Sequence, residues 1–545
     1  MNIPIHRIRA KIKNKFSSLK RTIVIRGINR TKFRQIDKSE SVLFWNSGAG
    51  GWPDLAYMDA VIASSLRLRG HKVHSTISDG SYRAHSSRFY KIGLEPENCR
   101  KDSDKYLKES KGIINEFGIA HSFFGEYLIQ DDKDKAYKIA KEVRYENLYE
   151  FKYEGINIGR DIKSSLIRFL MGKEFSLEDS EILIEYTYAA ILNVIVLNRV
   201  INKVQPTIAF MSHAIYVDWG PAMRLLLSKN IPVFFYVQGR MPGTFFFNKI
   251  IKSDELSPDS CSIETWEKAK SLKVSNENKQ KVDLYMNNRY FSNSCSDIEF
   301  DLENQETING FKNRYNLTYE ERPIWSIFTH ISWDNSCDFS RQIYSSYDEW
   351  LEKTFQQIKN NSNVVWLIKI HPAEKDSPSE FNFAKRMEGK ELPENIRIVD
   401  FDEKLSPFLY QNMIDGGVTV CGNSGIESAI KGKPVILAGS SNYSNKGFTV
   451  DCSNELEYFK NLDNAHNISL LTKEQIELAY KYSYLYLFRK QIRLPIFHDL
   501  KKKYFCIQDY RLKDIKPGEE KNLSFVCDSI IKKGDFVLPE PQYLD

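Results

Sequence analysis

What most constrains this chain is a pattern that recurs along it: a short apolar, β-branched run that stops abruptly in polar and small residues. It is clearest between Val364 and Phe448, which contains VVWLIKIHPAE and, after a spacer, VTVCGNSGIESAIKGKPVILAGSSNYSNKGF. Val364 to Ile370 predicts a buried strand. His371-Pro372 ends it, because proline lacks the N–H that a central strand donates. Val418 to Cys421 predicts a second strand, followed by the polar loop Gly422-Asn423-Ser424-Gly425 and a helix from Ile426 to Lys431. Gly432 stops that helix and Pro434 follows. Val435 to Ala438 is the next strand. Strand, loop, helix and strand in this order build a parallel α/β sheet.

The chemistry that such a unit suggests is anion binding. Backbone N–H groups at the start of the 426–431 helix, with its dipole, suit a phosphate or diphosphate. Asn423 and Ser424 are good N-cap residues and add side-chain donors. His371, at the carboxyl end of a neighbouring strand, is placed in the same crevice. Glu427 could accept from a ribose or simply favour the helix start. For either half alone, a capping role for Asn423 and Ser424 and a loop contact for His371 is the plainer reading. Together they favour a ligand site.

The remaining chain supplies a second such region. With 545 residues it exceeds one ordinary core, so two large domains are expected. The expected divisions are a tail over 1–38, a first domain over 39–250, an interdomain segment over 251–320, a second domain over 321–470, and helices crossing back over 471–545. The eight cysteines form no CxxC pair, which argues for a reducing compartment and against a disulfide framework or structural zinc. No apolar run reaches the ~20 residues of a membrane span, and the cations near the start interrupt any signal-peptide core. The net charge of +6 is uneven: eleven Lys and Arg precede residue 35 with no acid among them, so the body is mildly acidic. Ile3, Ile5, Ile8, Ile12, Phe16 and Leu19 interleave with these cations at near-helical spacing. A basic amphipathic helix on an anionic membrane surface and a solvated tail both remain open. No nucleic-acid partner is expected, since no RNA-binding or zinc-finger signature accompanies the tail.

In the first domain, Val42 to Trp45 predicts a strand, Gly48, Gly50 and Gly51 a tight loop able to approach a ligand, Leu55 to Leu68 a helix, and Lys72 to Ile77 a strand. The spacing matches neither GxGxxG nor a Walker loop. Thr207 to Met211 predicts another strand. It is followed by Ser212-His213 and Asp218, then a helix from Pro221 and a strand ending at Gln238-Gly239-Arg240. His213 and Asp218 are candidate general bases, and Gln238 and Arg240 candidate contacts for substrate hydroxyls or phosphate. Ile324 to Phe328 opens the second domain and ends in Thr329, His330, Ser332 and Asp334 on the crevice side.

These residues carry a resemblance. Trp333-Asp334, Lys369-Ile370-His371-Pro372, Gly422-Asn423-Ser424-Gly425 with Glu427, Gly432-Lys433-Pro434, Tyr443, Gly447 and Phe448 resemble the bacterial capsule polysaccharide biosynthesis glycosyltransferases, the group that includes capsular Kdo transferases. Ser212-His213, Tyr216 and Trp219-Gly220 are similar to the same set. The resemblance implies a GT-B-like α/β fold, two Rossmann-like domains with a cleft between them, with the basic tail in addition. It implies a nucleotide-sugar donor on the second domain and a polysaccharide or glycolipid acceptor on the first. His371-Pro372 resembles the HP motif of CMP-sugar transferases, which favours a CMP-sugar and adds Lys369 to the donor-binding set. The acidic motif that often accompanies it is reduced here to Ser78-Asp79-Gly80, so Asp79 is a third candidate base, and UDP- and GDP-sugars stay open. Asp334, Gly50 and Gly51 are further candidate substrate contacts. No metal ligands and no cofactor are expected, and the cytoplasm, with the inner face of the membrane, is the expected location. Two alternatives share the motifs: a CDP-glycerol-type glycerophosphotransferase and a non-catalytic capsule assembly or export factor.

Overall fold

The computed structural model describes residues 39–47, 53–85, 108–241, 243–250, 261–271, 273–291, 306–334, 343–375, 379, 383–401, 404–494, 512–539 and 541. The basic tail and the glycine loop with Gly48, Gly50 and Gly51 therefore lie outside the described residues. The chain divides into two compact units. The first gathers residues up to Ser165, Glu178–Lys252 and Ile492–Leu538; the second gathers Leu166–Leu177, Ser253–Gln491 and the last residues. One short piece changes sides relative to the divisions expected from sequence, since 166–177 joins the second unit; the expected crossing back to the first begins at Ile492 rather than 471.

The first unit is built on β1 (Ser41–Phe44), β2 (Lys72–Ile77) and β3 (His121–Phe123), with a small hairpin of β4 (Lys152–Tyr153) and β5 (Ile156–Asn157) beside it. Its sheet continues through β6 (Ile208–Ser212), β7 (Val233–Gln238) and β8 (Thr244–Ile250). The strand order on the growing side of β1 is β6, β7, β8, and on the other side β2, β3. Every pair from β3 to β7 is parallel, while β7 and β8 form an antiparallel hairpin. The sequence reading assigns no element to the residues between Arg240 and 251, where β8 lies. The run TFFFNKI instead folds back and buries its phenylalanines against β7. β3 is likewise not legible in the sequence, because three residues are too few for a period to show. The helix Ser180–Val204 is long and apolar enough to cross a membrane by length and composition, but most of it is buried as a core helix is.

The second unit carries β9 (Ile324–Phe328), β10 (Val365–Lys369), β11 (Ile396–Val399), β12 (Gly416–Thr419), β13 (Val435–Leu437) and β14 (Val450–Asp451). They lie in the order β11-β10-β9-β12-β13-β14, and all pairs are parallel. Counted from the first strand this is 3-2-1-4-5-6, the doubly wound arrangement of nucleotide-binding sheets. The order in which strands are added reverses between β9 and β12. The last described strand, β15 (Gln491–Arg493), sits at the edge of the first sheet beside β8.

Alternation along β10 explains its two-faced core. Trp366 and Ile368 pack with Trp350, Leu351 and Phe355 on one face, while Val365 and Leu367 pack with Phe311, Leu405 and Tyr410 on the other. Each unit is thus an α/β layer on a Rossmann-like sheet, and the expected α/β class is borne out.

Candidate donor-phosphate site in the second unit

Ligands of open α/β sheets bind outside the carboxyl ends of the strands where the order reverses. In the second unit that place is flanked by the residues after β9 and those after β12. Three polar pieces meet there. His330, two residues past β9, takes the amides of Val420 and Cys421 on its Nε2 at 3.3 and 3.4 Å, with the Thr419 hydroxyl at 3.1 Å. Its ring stacks on Tyr347, with centroids 4.3 Å apart and planes 18° apart, and meets Trp350 edge-on. Burial, with the neighbouring His371, pushes the His330 pKa down to about 3, so the ring is neutral. A β-carbon built on Gly422 would lie 3.5 Å from Cε1 of His330 and 3.2 Å from the Ser424 hydroxyl oxygen, so that these two side chains flank the loop backbone.

His371 enters from β10. Its backbone N–H donates to the Thr329 hydroxyl at 3.0 Å, and its Nδ1 accepts from the Ala373 amide at 3.2 Å in the short turn that Pro372 begins. With Nδ1 accepting, Nε2 carries the proton of the neutral ring and is a donor. His371 lies near enough to His330 to act on its charge, and His330 in turn holds the amides that follow β12.

The helix start differs from its expected form. The helix runs Ser424–Ile430, and Asn423 is its N-cap residue but its side chain makes no cap bond. The amides of Gly425, Ile426 and Glu427 are taken by Gly422 and Asn423 carbonyls, so they are not available to a ligand as the sequence reading supposed. The amides of Val420, Cys421 and Gly422 are taken as well, by His330 and Thr419, which leaves Asn423 and Ser424, both half-buried, as the donors of this loop. Gly425 is there for packing: its added β-carbon would fall 2.1 Å from the Tyr443 hydroxyl, which donates to the Gly422 carbonyl at 2.5 Å. Glu427 is half-buried one residue further into the first turn.

Lys369 is a correction. It shares the face of β10 that packs on Tyr410, and its ammonium lies 4.6 Å from that ring's centroid. A strand alternates its side chains, so the residue before Ile370 points away from the face where His330 stacks. Asp334 keeps part of its side chain exposed. It pairs with the Arg168 guanidinium, which also lies over the Trp333 ring at 5.4 Å. Both acid and cation lie within the second unit, since 166–177 joins it, and the aspartate is engaged in that pairing. Sequence reasoning had noted His330 only as one polar strand-end residue among several. Its weight comes from stacking and from a bond to a loop ninety residues away.

A recess beside His330 is lined by Ser332, Tyr347, Asp348, Ile370 and Glu374. Burial raises the Asp348 carboxyl, opposed by Arg386 at 3.1 Å and by the Ser332 hydroxyl at 2.9 Å. Glu374 accepts from the amide and hydroxyl of Ser379, both at 2.6 Å.

In the first unit the order reverses between β1 and β6, which places Asn46 and Ser47 opposite Ser212 and His213. His213, Ala214 and Tyr216 hold φ of 53°, 58° and 61° around an extended Ile215, left-handed positions without glycine of the kind found at functional turns. His213 is half-buried, stacks on Trp219 with centroids 5.3 Å apart, and shares a 2.5 Å hydrogen bond between Nδ1 and the Ser212 hydroxyl. Asp218 is not an accessible base. It is fully buried, and its Oδ1 accepts from Tyr82 at 3.2 Å and from His85 at 2.7 Å. The reason is a helix that begins at Tyr216, five residues before the expected Pro221, and so turns Asp218 inward. Asp79 is exposed, but its carboxylate holds the Gly125 amide at 2.9 Å and the Ser81 hydroxyl at 2.5 Å. Gln238 is exposed and Arg240 half-buried, both at the turn joining β7 to β8.

Residues 327–487 match the family of capsule polysaccharide biosynthesis proteins. The match covers β9 to the end of the second unit's helices, and with it the whole crevice around His330, His371 and the 419–424 loop. The family resemblance expected from sequence is thus borne out over the segment that holds the site. No curated protein matches the chain. Among solved structures, the beta Kdo 2,4 transferase KpsC of Thermosulfurimonas dismutans is similar at 11% identity, over 53% of this chain and 82% of its own, with a TM-score of 0.32. The glycosyltransferase SnogD of Streptomyces nogalater is similar at 10% identity over 83% and 95%, with a TM-score of 0.24. The UDP-GlcNAc 2-epimerase of Methanocaldococcus jannaschii is similar at 11% identity over 80% and 96%, with a TM-score of 0.26. Likenesses this distant carry no argument about activity.

Proposed function

We propose that this chain is a capsule polysaccharide glycosyltransferase that takes a sugar from a nucleotide-sugar donor and passes it to a polysaccharide or glycolipid acceptor. The observation that carries the reading is the meeting of His330, His371 and the 419–424 loop at the reversal point of a 3-2-1-4-5-6 sheet, inside the segment that matches the capsule family. A CMP-sugar is the donor we favour, on charge as well as on the His371-Pro372 motif. His330 is neutral, and Lys369 and Lys431 hold their ammonium groups over Tyr410 and Phe408. Neutral N–H donors suit a single phosphate charge better than the two of a diphosphate.

His371, through Nε2–H, would stabilise the phosphate as it leaves. In the first unit His213 is our choice of base for the acceptor hydroxyl, because Asp218 and Asp79 already hold other groups. Among the described residues no group of three His, Cys, Asp or Glu could hold a metal ion, and we expect transfer without one. The eleven cations before residue 35 support docking at the inner face of the membrane.

The test is a thermal-shift series with CMP, CDP, UDP and GDP on the wild type and on His371→Ala. A ligand at a hundredfold its Kd adds about 2.7 kcal/mol to stability. CMP is expected to give the largest shift, and His371→Ala to lose it while keeping the unliganded melting point. Wild-type-like shifts in His371→Ala would remove that imidazole from the site, and silence of all four nucleotides would end the donor reading. With a labelled CMP-sugar, turnover is expected to survive excess EDTA.

A further inference from the structure

His330 was not among the residues the sequence singled out for binding, yet its ring does two separable things. One face lies on Tyr347 and one edge meets Trp350. The Nε2 atom serves instead as acceptor for consecutive amides, those of Val420 and Cys421, in the stretch that leaves β12 for the polar loop. A nitrogen that accepts N–H bonds cannot itself bear a proton, so Nδ1 holds it and the ring stays uncharged. Consecutive amides turned to one acceptor constrain the direction of the peptide planes that follow. Thr419 tightens the same turn, its hydroxyl taking the Gly422 amide at 3.2 Å.

We propose that His330 is a positioning residue: by accepting the Val420 and Cys421 amides it holds the 420–424 backbone in the shape that receives the donor's phosphate. The phosphate part of this rests on the donor reading above; the loop part does not. Cys421 supplies an independent reporter. It is half-buried, while the other cysteines among the described residues are buried, and its amide is one of the pair that His330 holds.

Two variants separate the acceptor from the ring. His330→Phe keeps an aromatic face for Tyr347 and removes the acceptor; His330→Gln removes the ring and supplies an amide oxygen at similar reach. The first readout is the rate of Cys421 alkylation by iodoacetamide on the folded full chain, followed by peptide mass spectrometry. His330→Phe is expected to raise the rate at least threefold, and His330→Gln to recover most of the wild-type value. The second readout is CMP affinity, expected to fall about tenfold in His330→Phe and to return largely in His330→Gln. Equal alkylation rates in wild type and His330→Phe overturn the proposal. So does a His330→Gln variant as reactive as His330→Phe, which would make stacking the cause. If the wild type binds no nucleotide, the donor reading fails while the alkylation rates still decide the role of His330.

Discussion

Asp59 shows how much one buried group can matter. It lies in the helix Pro53–Leu68 at 2% exposure, with the Tyr236 hydroxyl 3.5 Å away. Burial raises its carboxyl to about 8, against smaller lowering from the Ser47 and Tyr236 hydroxyls. The folded state therefore keeps a proton that the unfolded chain releases near pH 4. Between about pH 4 and 8 the folded form binds more protons, so this group's contribution is greatest below pH 4 and is lost as pH rises towards 8. Asp59→Asn carries no such penalty. Its melting point relative to wild type is expected to climb by several degrees from pH 5 to 8, as scanning calorimetry at each pH can measure. A pH-independent difference would show that Asp59 is ionised in the fold. Nothing in the sequence around Asp59 distinguishes it from an ordinary helix acid; only the inward turn of its helix does.

Among the elements, the short helix Ser424–Ile430 depends on a missing side chain. Gly425 leaves room for Tyr443, a fully buried ring whose hydroxyl reaches the Gly422 carbonyl. Gly425→Ala is expected to cost about 1–3 kcal/mol by overpacking, read as a lower urea midpoint. Tyr443→Phe removes the atom nearest the new methyl, so the double variant should be more stable than the two single effects added together. Strict additivity would mean that the two residues do not press on each other. β12 teaches the same lesson. Two glycines open it, Gly416 and Gly417, and sequence reading began the strand only at Val418. The structure begins it at Gly416, where a β-carbon would fall 2.5 Å from the Trp325 ring. Strands with strong apolar runs, β7, β9 and β10, are legible to within a residue or so.

On the scale of the whole molecule, the chain's return at Ile492 ties its C-terminal segment to its beginning. Within the first unit the Ser65 hydroxyl bonds the Ile515 carbonyl at 2.9 Å, and Arg69 meets Asp528 at 3.4 Å. The helix Lys521–Lys532 buries Leu523, Val526, Cys527 and Ile530. Ile530→Asp is expected to cost more than about 3 kcal/mol, since it buries an unpaired charge. Hydrogen exchange followed by mass spectrometry should show β1 and β6 losing protection while β9, β10 and β12 keep theirs. Equal losses in both sets would mean that the two units unfold as one.

By itself the sequence determined the class of fold and the neighbourhood of the site. Apolar runs ending in polar loops can satisfy their backbones and bury their side chains only as parallel strands with the loops on one edge, which put His371 and the 422–425 loop at that edge. Tertiary structure alone decided which polar residues the crevice keeps. It turned Lys369 to Tyr410, paired Asp334 with Arg168 and buried Asp218 under Tyr82 and His85. It also brought His330 to the amides of Val420 and Cys421. A side chain's partner is set by strand order and helix phase, and a partner forty or more residues away leaves no local period to read.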